Sequence, residues 1–152
     1  MSTTSSAPSL TAVPSASSTR RLPSEKLLEI YDLMLRTRVL EERLITMYKQ
    51  GDGFFWIGGP GEEAFNVSLG MLVNKGMGVD HDYLHLHYRS GATLLAMGAD
   101  PVDSLRQMKN VATDPYSKGR NFAGHYSRRA WNICPVTSPI ESSNACAHWP
   151  SS

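Results

Sequence analysis

The chain has 152 residues, enough for one domain with its own core, and its 41% hydrophobic content is that of an ordinary globular protein. A formal net charge of +1 argues against a general binder of nucleic acid or of a membrane surface. No apolar run approaches the roughly 18 residues that span a bilayer, no apolar secretory core stands near the start, and Cys134 and Cys146 form no CxxC, which fits a reducing, intracellular compartment.

Residues 1–22 are Ser, Thr, Ala and Pro without an acidic residue, closing on Arg20-Arg21. Such a stretch buries too little apolar surface to offset its ordering entropy and reads as a disordered tail. Organelle transit peptides share the composition, but the two arginines are not spaced along an amphipathic helix. The plain tail, and with it the cytoplasm, is therefore preferred over the mitochondrial matrix.

A helix begins near Pro23-Ser24-Glu25, with Ser24 as its cap and Glu25 in the first turn. Leu27, Tyr31, Met34, Leu35, Leu40, Leu44, Met47 and Tyr48 recur at helical spacing as its apolar face. Arg36, Arg38, Glu41, Glu42 and Arg43 supply charge pairs on the other. Gly51 stops it, and Gly51-Asp52-Gly53 reads as the closing turn. Phe54-Phe55-Trp56-Ile57, followed by Gly58-Gly59-Pro60-Gly61, has two equal readings: a buried strand or core loop, or an aromatic wall beside a ligand that the glycines let approach.

A second helix opens at Gly61-Glu62-Glu63-Ala64 and ends at Lys75-Gly76, with Val67, Met71 and Leu72 as its apolar stripe. Either Glu suits proton transfer, though a glutamate in a first turn is more often a cap or solvated. Ser68 and Gly70 are small enough for another helix to pack closely. Asp80 to His87 alternates as a strand, which puts His85 and His87 on one face. That strand runs into His87-Tyr88-Arg89-Ser90-Gly91, where a helix starts. Such a junction offers backbone N–H groups and a dipole to an anion, and Arg89 adds a charged fork for phosphate oxygens.

A short helix follows over Ala92–Met97 and stops at Gly98. The next has Asp100 as cap and Pro101 at its first position, with Leu105, Met108 and Val111 facing inward. Asp114 to Arg120 is a loop in which Lys118 and Arg120 read as solvated charges before they read as anion ligands. His125-Tyr126 and Arg128-Arg129 continue a polar stretch, Trp131–Val136 is strand-like, and Thr137-Ser138-Pro139-Ile140 turns. A metal site from His125, Cys134, Cys146 and His148 has no familiar zinc spacing.

RTRVLEERLITMYKQG, GPGEEAFNVSLG, HLHYRSGATLLAMGADP, SKGRNFAGHY and VTSPI stand in order between about Leu27 and Ile140. Together they resemble the α subunit of the thiamine-diphosphate-dependent 2-oxo acid dehydrogenases, the family of the pyruvate and branched-chain enzymes. The resemblance implies that residues 23–140 are the N-terminal portion of a three-layer α/β cofactor-binding domain, mostly helical in this stretch, and that 141–152 is a tail foreign to the family. Its cofactor is thiamine diphosphate with Mg2+. Its partners are a β subunit, in an α2β2 heterotetramer, and a lipoyl-bearing second component. The implied reaction decarboxylates a 2-oxo acid and passes the acyl unit to lipoyl groups.

By the same resemblance Tyr88 and Arg89 contact the diphosphate, and Ser138 and Ile140 hold the aminopyrimidine. Phe55, His87 and His125 fall near the substrate and cofactor pocket, and no catalytic step is assigned to a residue of this chain. The family's GDG motif continues to a paired Asn and holds magnesium. Gly51-Asp52-Gly53 has no Asn-Asn after it, so no metal ligand is assigned. A frameshift or premature stop after about Glu141 is the expected origin of ESSNACAHWPSS, and such a chain is expected to be inactive alone. A non-catalytic interaction module, docking through helices 24–50 and 61–75, is the competing reading.

Overall fold

The computed structural model describes residues 21–134 as four α-helices and a short 3-10 helix, Arg129–Trp131, joined by long irregular segments. Residues 1–20 of the expected 1–22 tail, the turn at 137–140 and the 141–152 segment lie outside the described residues. Helix α1 spans Ser24–Lys49. Pro23, not Ser24, occupies its capping position with φ −54° and ψ 145°, and no side chain caps the turn. The other end follows expectation. Gly51, at φ +77°, donates to Tyr48 O over 3.1 Å while Asp52 donates to Met47 O over 2.9 Å. That pair of bonds satisfies the last carbonyls and makes Gly51-Asp52-Gly53 a helix-closing turn.

The buried stripe of α1 differs from the expected one. It runs Thr37, Glu41, Leu44 and Met47, all in the C-terminal half, while Leu27, Leu28, Tyr31, Leu35 and Val39 are at least half exposed. Burial on α1 falls within Thr37–Met47, and Glu41, expected on the charged face, is carried inside. Leu44 and Met47 pack with Met108, and Leu40, Trp56, Leu105 and Ala123 close around them.

Helix α2, Glu63–Leu72, ends three residues before the expected Lys75 stop because Val73 turns extended. It lies against α3, Gly91–Ala96. Gly70 is the point of closest approach: a Cβ there would collide with Thr93 O and lie 2.8 Å from the Ala96 methyl. Beside it Thr93 Oγ1 donates to Asn66 Oδ1 over 3.0 Å, joining the two helices through a fully buried hydrogen bond. Ser68, the other small residue, is exposed. The larger core gathers Leu86, Leu94, Met97, Ala99, Tyr116, Tyr126 and Ile133, with Val73, Leu84 and Trp131 packed against it.

Helix α4, Pro101–Met108, is capped as expected, Asp100 accepting from Val102 N over 2.9 Å. Met108 is buried and Leu105 partly so, whereas Val111 is exposed. The 114–120 loop is organised by Asp114, whose carboxylate accepts from Tyr116 N, Ser117 N and Ser117 Oγ at 2.6–3.0 Å. Lys118 and Arg120 are exposed there, in line with the solvated reading.

The two expected strands do not form as strands, nor does the strand alternative for residues 54–57. Residues 54–57 are irregular, and among the described residues the 80–87 run meets residues 131–134 only at a parallel bridge between Leu84 and Ile133. Residues 135 and 136 lie outside the described residues. Leu84 N donates to Asn132 O and Cys134 N to Leu84 O, both over 3.0 Å. Two such bonds do not sustain a sheet on their own. Alternation nevertheless holds, with Leu86 buried and His85 and His87 exposed on the other side. Among the described residues the architecture is mostly helical.

Candidate functional site

The bridge at Leu84 and the burial of Leu86 bring the chain to a tight turn, closed by Ser90 N donating to His87 O over 2.9 Å. Helix α3 begins one residue later. In that turn the Tyr88 ring stacks on the His87 ring at 3.7 Å, and the Arg89 guanidinium sits 4.9 Å from the Tyr88 centroid. Arg89 Nε lies 3.9 Å from Glu62 Oε1, beyond hydrogen-bond length, with both side chains nearly half exposed. The fork is therefore not closed off by Glu62 and remains open to solvent. With six residues, α3 supplies less of a dipole than the sequence reading expected, and the weight falls on Arg89.

Two loops clamp this turn from either side, and each does so with a glycine. A Cβ on Gly59 would come within 2.7 Å of Arg89 O; one on Gly124, which has φ +84°, would come within 2.9 Å of Tyr88 O. Backbone thus lies against backbone on both flanks, which only glycine allows.

Two carboxylates hold the first loop. Glu63, buried at the start of α2, accepts from Arg38 Nε at 2.7 Å and from Gly61 N at 2.9 Å. Burial alone would raise its pKa, but the hydrogen bonds from its own and Gly61 N–H groups and from Arg38 hold it below the ordinary 4.5. Glu41, from α1, accepts from Trp56 Nε1 at 3.0 Å and from the Gly59 amide. Its pKa is raised, chiefly by burial and further by Glu63, against the opposing pull of Trp56, Gly59 and Arg38.

The depressed Glu63 pKa sets a sign. Its stabilisation is fully present above the unfolded value of 4.5 and is lost as pH falls through the lower folded value. Glu63→Gln should flatten that acid limb, with a loss near neutrality on the order of 1 kcal/mol, since Arg38 is half exposed and the pair is screened. Urea unfolding from pH 3 to 7 measures it; an unchanged acid limb would remove Glu63 from the account.

The aromatic segment divides its roles. Trp56 turns into the α1–α4 core, as the core-loop reading expects, while Phe54 is exposed. Phe55 meets Phe122 at a ring distance of 5.7 Å, and Phe122 meets His125 edge-on at 6.1 Å. His125 is fixed through its backbone, its carbonyl accepting from Gln107 Nε2 at 2.8 Å while Gln107 Oε1 accepts from Gly124 N. Gln107 is itself 1% exposed.

Of the expected site residues, His87, Tyr88 and Arg89 stand together in the turn. Phe55 and His125 lie on the two flanking segments, linked through Phe122. Ser138 and Ile140 lie outside the described residues, as do Cys146 and His148 of the alternative metal reading. Gly59 reads from the sequence as permissive backbone beside a ligand and Glu41 as a member of the charged face of α1; Gly124 carries no such local signal. Glu41 was detectable only as a polar member of the Thr37–Glu41–Leu44 stripe. The exposed Arg89 fork and glycine-flanked backbone fit a diphosphate group. Magnesium is different: among the described residues no three His, Cys, Asp or Glu side chains converge to hold a metal ion. Among them too, no helix is long and apolar enough to cross a membrane.

No family model matches the chain. The 2-oxoisovalerate dehydrogenase subunit alpha of Bacillus subtilis (strain 168) is 29% identical over 119 residues, covering 78% of this chain and 35% of that protein. The 2-oxoisovalerate dehydrogenase subunit alpha 1, mitochondrial, of Arabidopsis thaliana is 28% identical over 118 residues, covering 77% of this chain and 24% of that protein. The chain spans about a third or less of the length of these curated relatives. The resemblance carried by its motifs and the names of its relatives agree: the chain is related to the α subunits of the branched-chain 2-oxo acid dehydrogenases.

Proposed function

We propose that the chain supplies the diphosphate-binding wall of a thiamine-diphosphate-dependent branched-chain 2-oxo acid dehydrogenase, an oxidoreductase, as part of its α subunit. The observation that carries this is the Tyr88-Arg89 turn, clamped between Gly59 and Gly124 with its guanidinium left open to an anion. Residues 23–140 are then the N-terminal portion of a three-layer α/β domain. The parallel Leu84–Ile133 bridge is consistent with the parallel sheet of such a domain.

Bound thiamine diphosphate supplies the nucleophilic carbon and electron sink for decarboxylating a 2-oxo acid. The residues here bind and orient. Arg89 grips the diphosphate, Tyr88 backs the guanidinium, and Phe55, His87 and His125 border the substrate side. Ser138 and Ile140 hold the aminopyrimidine. The branched-chain substrate rests on the relatives' names. The β subunit, in an α2β2 assembly, completes the site and the lipoyl-bearing component takes the acyl group. Magnesium is not assigned to any described residue, and the 152-residue polypeptide alone is proposed to be inactive. The cytoplasm is the proposed location, with the matrix as alternative, favoured by the name of the Arabidopsis relative.

The test is calorimetric titration of thiamine diphosphate and Mg2+ into this chain mixed with the β subunit of the same enzyme. Saturable binding that neither component shows alone is expected. Complex formation without cofactor binding would instead support the non-catalytic docking module.

A further inference from the structure

Glu41 belongs to no part of the site as the sequence was read, yet its carboxylate lies under the loop that seats Arg89. It reaches from α1 to the Trp56 indole and the Gly59 amide. A Cβ on Gly58 would fall on Glu41 Oε2, and a Cβ on Gly91, at the first residue of α3, would stand 3.9 Å from Oε1 and 3.0 Å from Tyr126 Oη. Glu41 is therefore packed beneath both ends of the junction: the Gly58-Gly59 loop on one side and the α3 start on the other. It is 8% exposed, so water does not mediate this contact freely.

We propose that Glu41 is a positioning residue that sets the height of the Gly58-Gly59 loop and, through the contact of Gly59 with the Arg89 carbonyl, aims the Arg89 fork at the diphosphate. The inference rests on the cofactor reading above. The charged and titratable groups that face Glu41 are Arg38 on its own helix, Glu63 on α2 and Tyr126 from the 121–126 segment. Arg38 is already committed to Glu63, which leaves Glu41 to the loop.

A carboxylate one methylene shorter would keep its chemistry and fail to reach the Gly59 amide. Glu41→Asp should therefore lower the affinity of the chain–β-subunit mixture for inorganic pyrophosphate and thiamine diphosphate about tenfold, with helical circular dichroism unchanged. Glu41→Gln, which keeps the reach and an acceptor, should lose less than Glu41→Asp. If Glu41 acts through Arg89, the Asp variant should add nothing in an Arg89→Ala background. A purely structural role would add in full.

Independent, additive losses overturn the inference and leave the cofactor reading standing. So does an affinity unchanged by Glu41→Asp, or one hit harder by Gln than by Asp. Loss of all effect from Arg89→Ala overturns the cofactor reading itself, and the inference with it. If Glu41→Asp fails to fold, the Gln variant carries the same cycle: a loss that vanishes in the Arg89→Ala background supports the inference, and a loss that adds overturns it.

Discussion

Arg89→Ala should weaken thiamine diphosphate binding by the chain–β-subunit mixture about 10- to 100-fold. The guanidinium is nearly half exposed, rests on Tyr88 at 4.9 Å and makes no close pair with Glu62. A hydrogen bond to a charged group contributes about 1.5–3 kcal/mol, and each 1.4 kcal/mol is a factor of ten. Solvent screening at a partly open site favours the lower half of that range, and the loss should shrink as salt rises. Arg89→Lys should fall between, since an ammonium keeps the charge and loses the planar fork. Calorimetry with thiamine diphosphate and with inorganic pyrophosphate measures both; an equal affinity for Ala and Arg would take Arg89 out of the site.

The parts of this site that were legible in the sequence share one property: they follow from local chemistry. The closing turn of α1 needs a residue at positive φ followed by free N–H groups, and Gly51-Asp52 announces it. The cap of α4 needs Asp before Pro, and Asp100-Pro101 supplies it. The junction at 87–91 is legible as a turn into a helix because Ser90-Gly91 stands between an alternating run and an apolar helical one. What was not legible depends on which helix lies across which. Glu41 carries the same local signal as Glu42, and only the packing of α1 against the Trp56 loop turns one inward and leaves the other exposed. The strand expectations failed for the converse reason. Alternation places Leu84 and Leu86 inward correctly, but a strand also needs partners, and the described chain offers Leu84 one bridge. Of the two glycines that clamp the turn, Gly59 reads as permissive backbone and Gly124 carries no local signal, and neither shows which carbonyl it would meet.

Gly70→Leu should be the most damaging substitution for the fold, costing about 3 kcal/mol or more, because it acts where two backbones nearly touch. A Cβ at Gly70 already collides with Thr93 O, and the Ala96 methyl blocks the next direction 2.8 Å away. Overpacking of a closed site costs about 1–3 kcal/mol. Here the obstacle on one side is backbone, so α3 as a whole must retreat. Its retreat would also stretch the buried Thr93–Asn66 bond of 3.0 Å and leave polar atoms without partners. Gly70→Ala separates this from helix propensity. In an open helix that change gains about 1 kcal/mol, so a net loss despite the gain would identify the α2–α3 contact as the cause. Because Arg89 leads directly into α3 while Glu62 and Glu63 open α2, the same retreat should displace the fork from its loop. Cofactor affinity should then fall alongside the urea midpoint in both variants. A Gly70→Ala protein more stable than the parent, with unchanged affinity, would mean that the two helices are not held at the spacing on which the whole site depends.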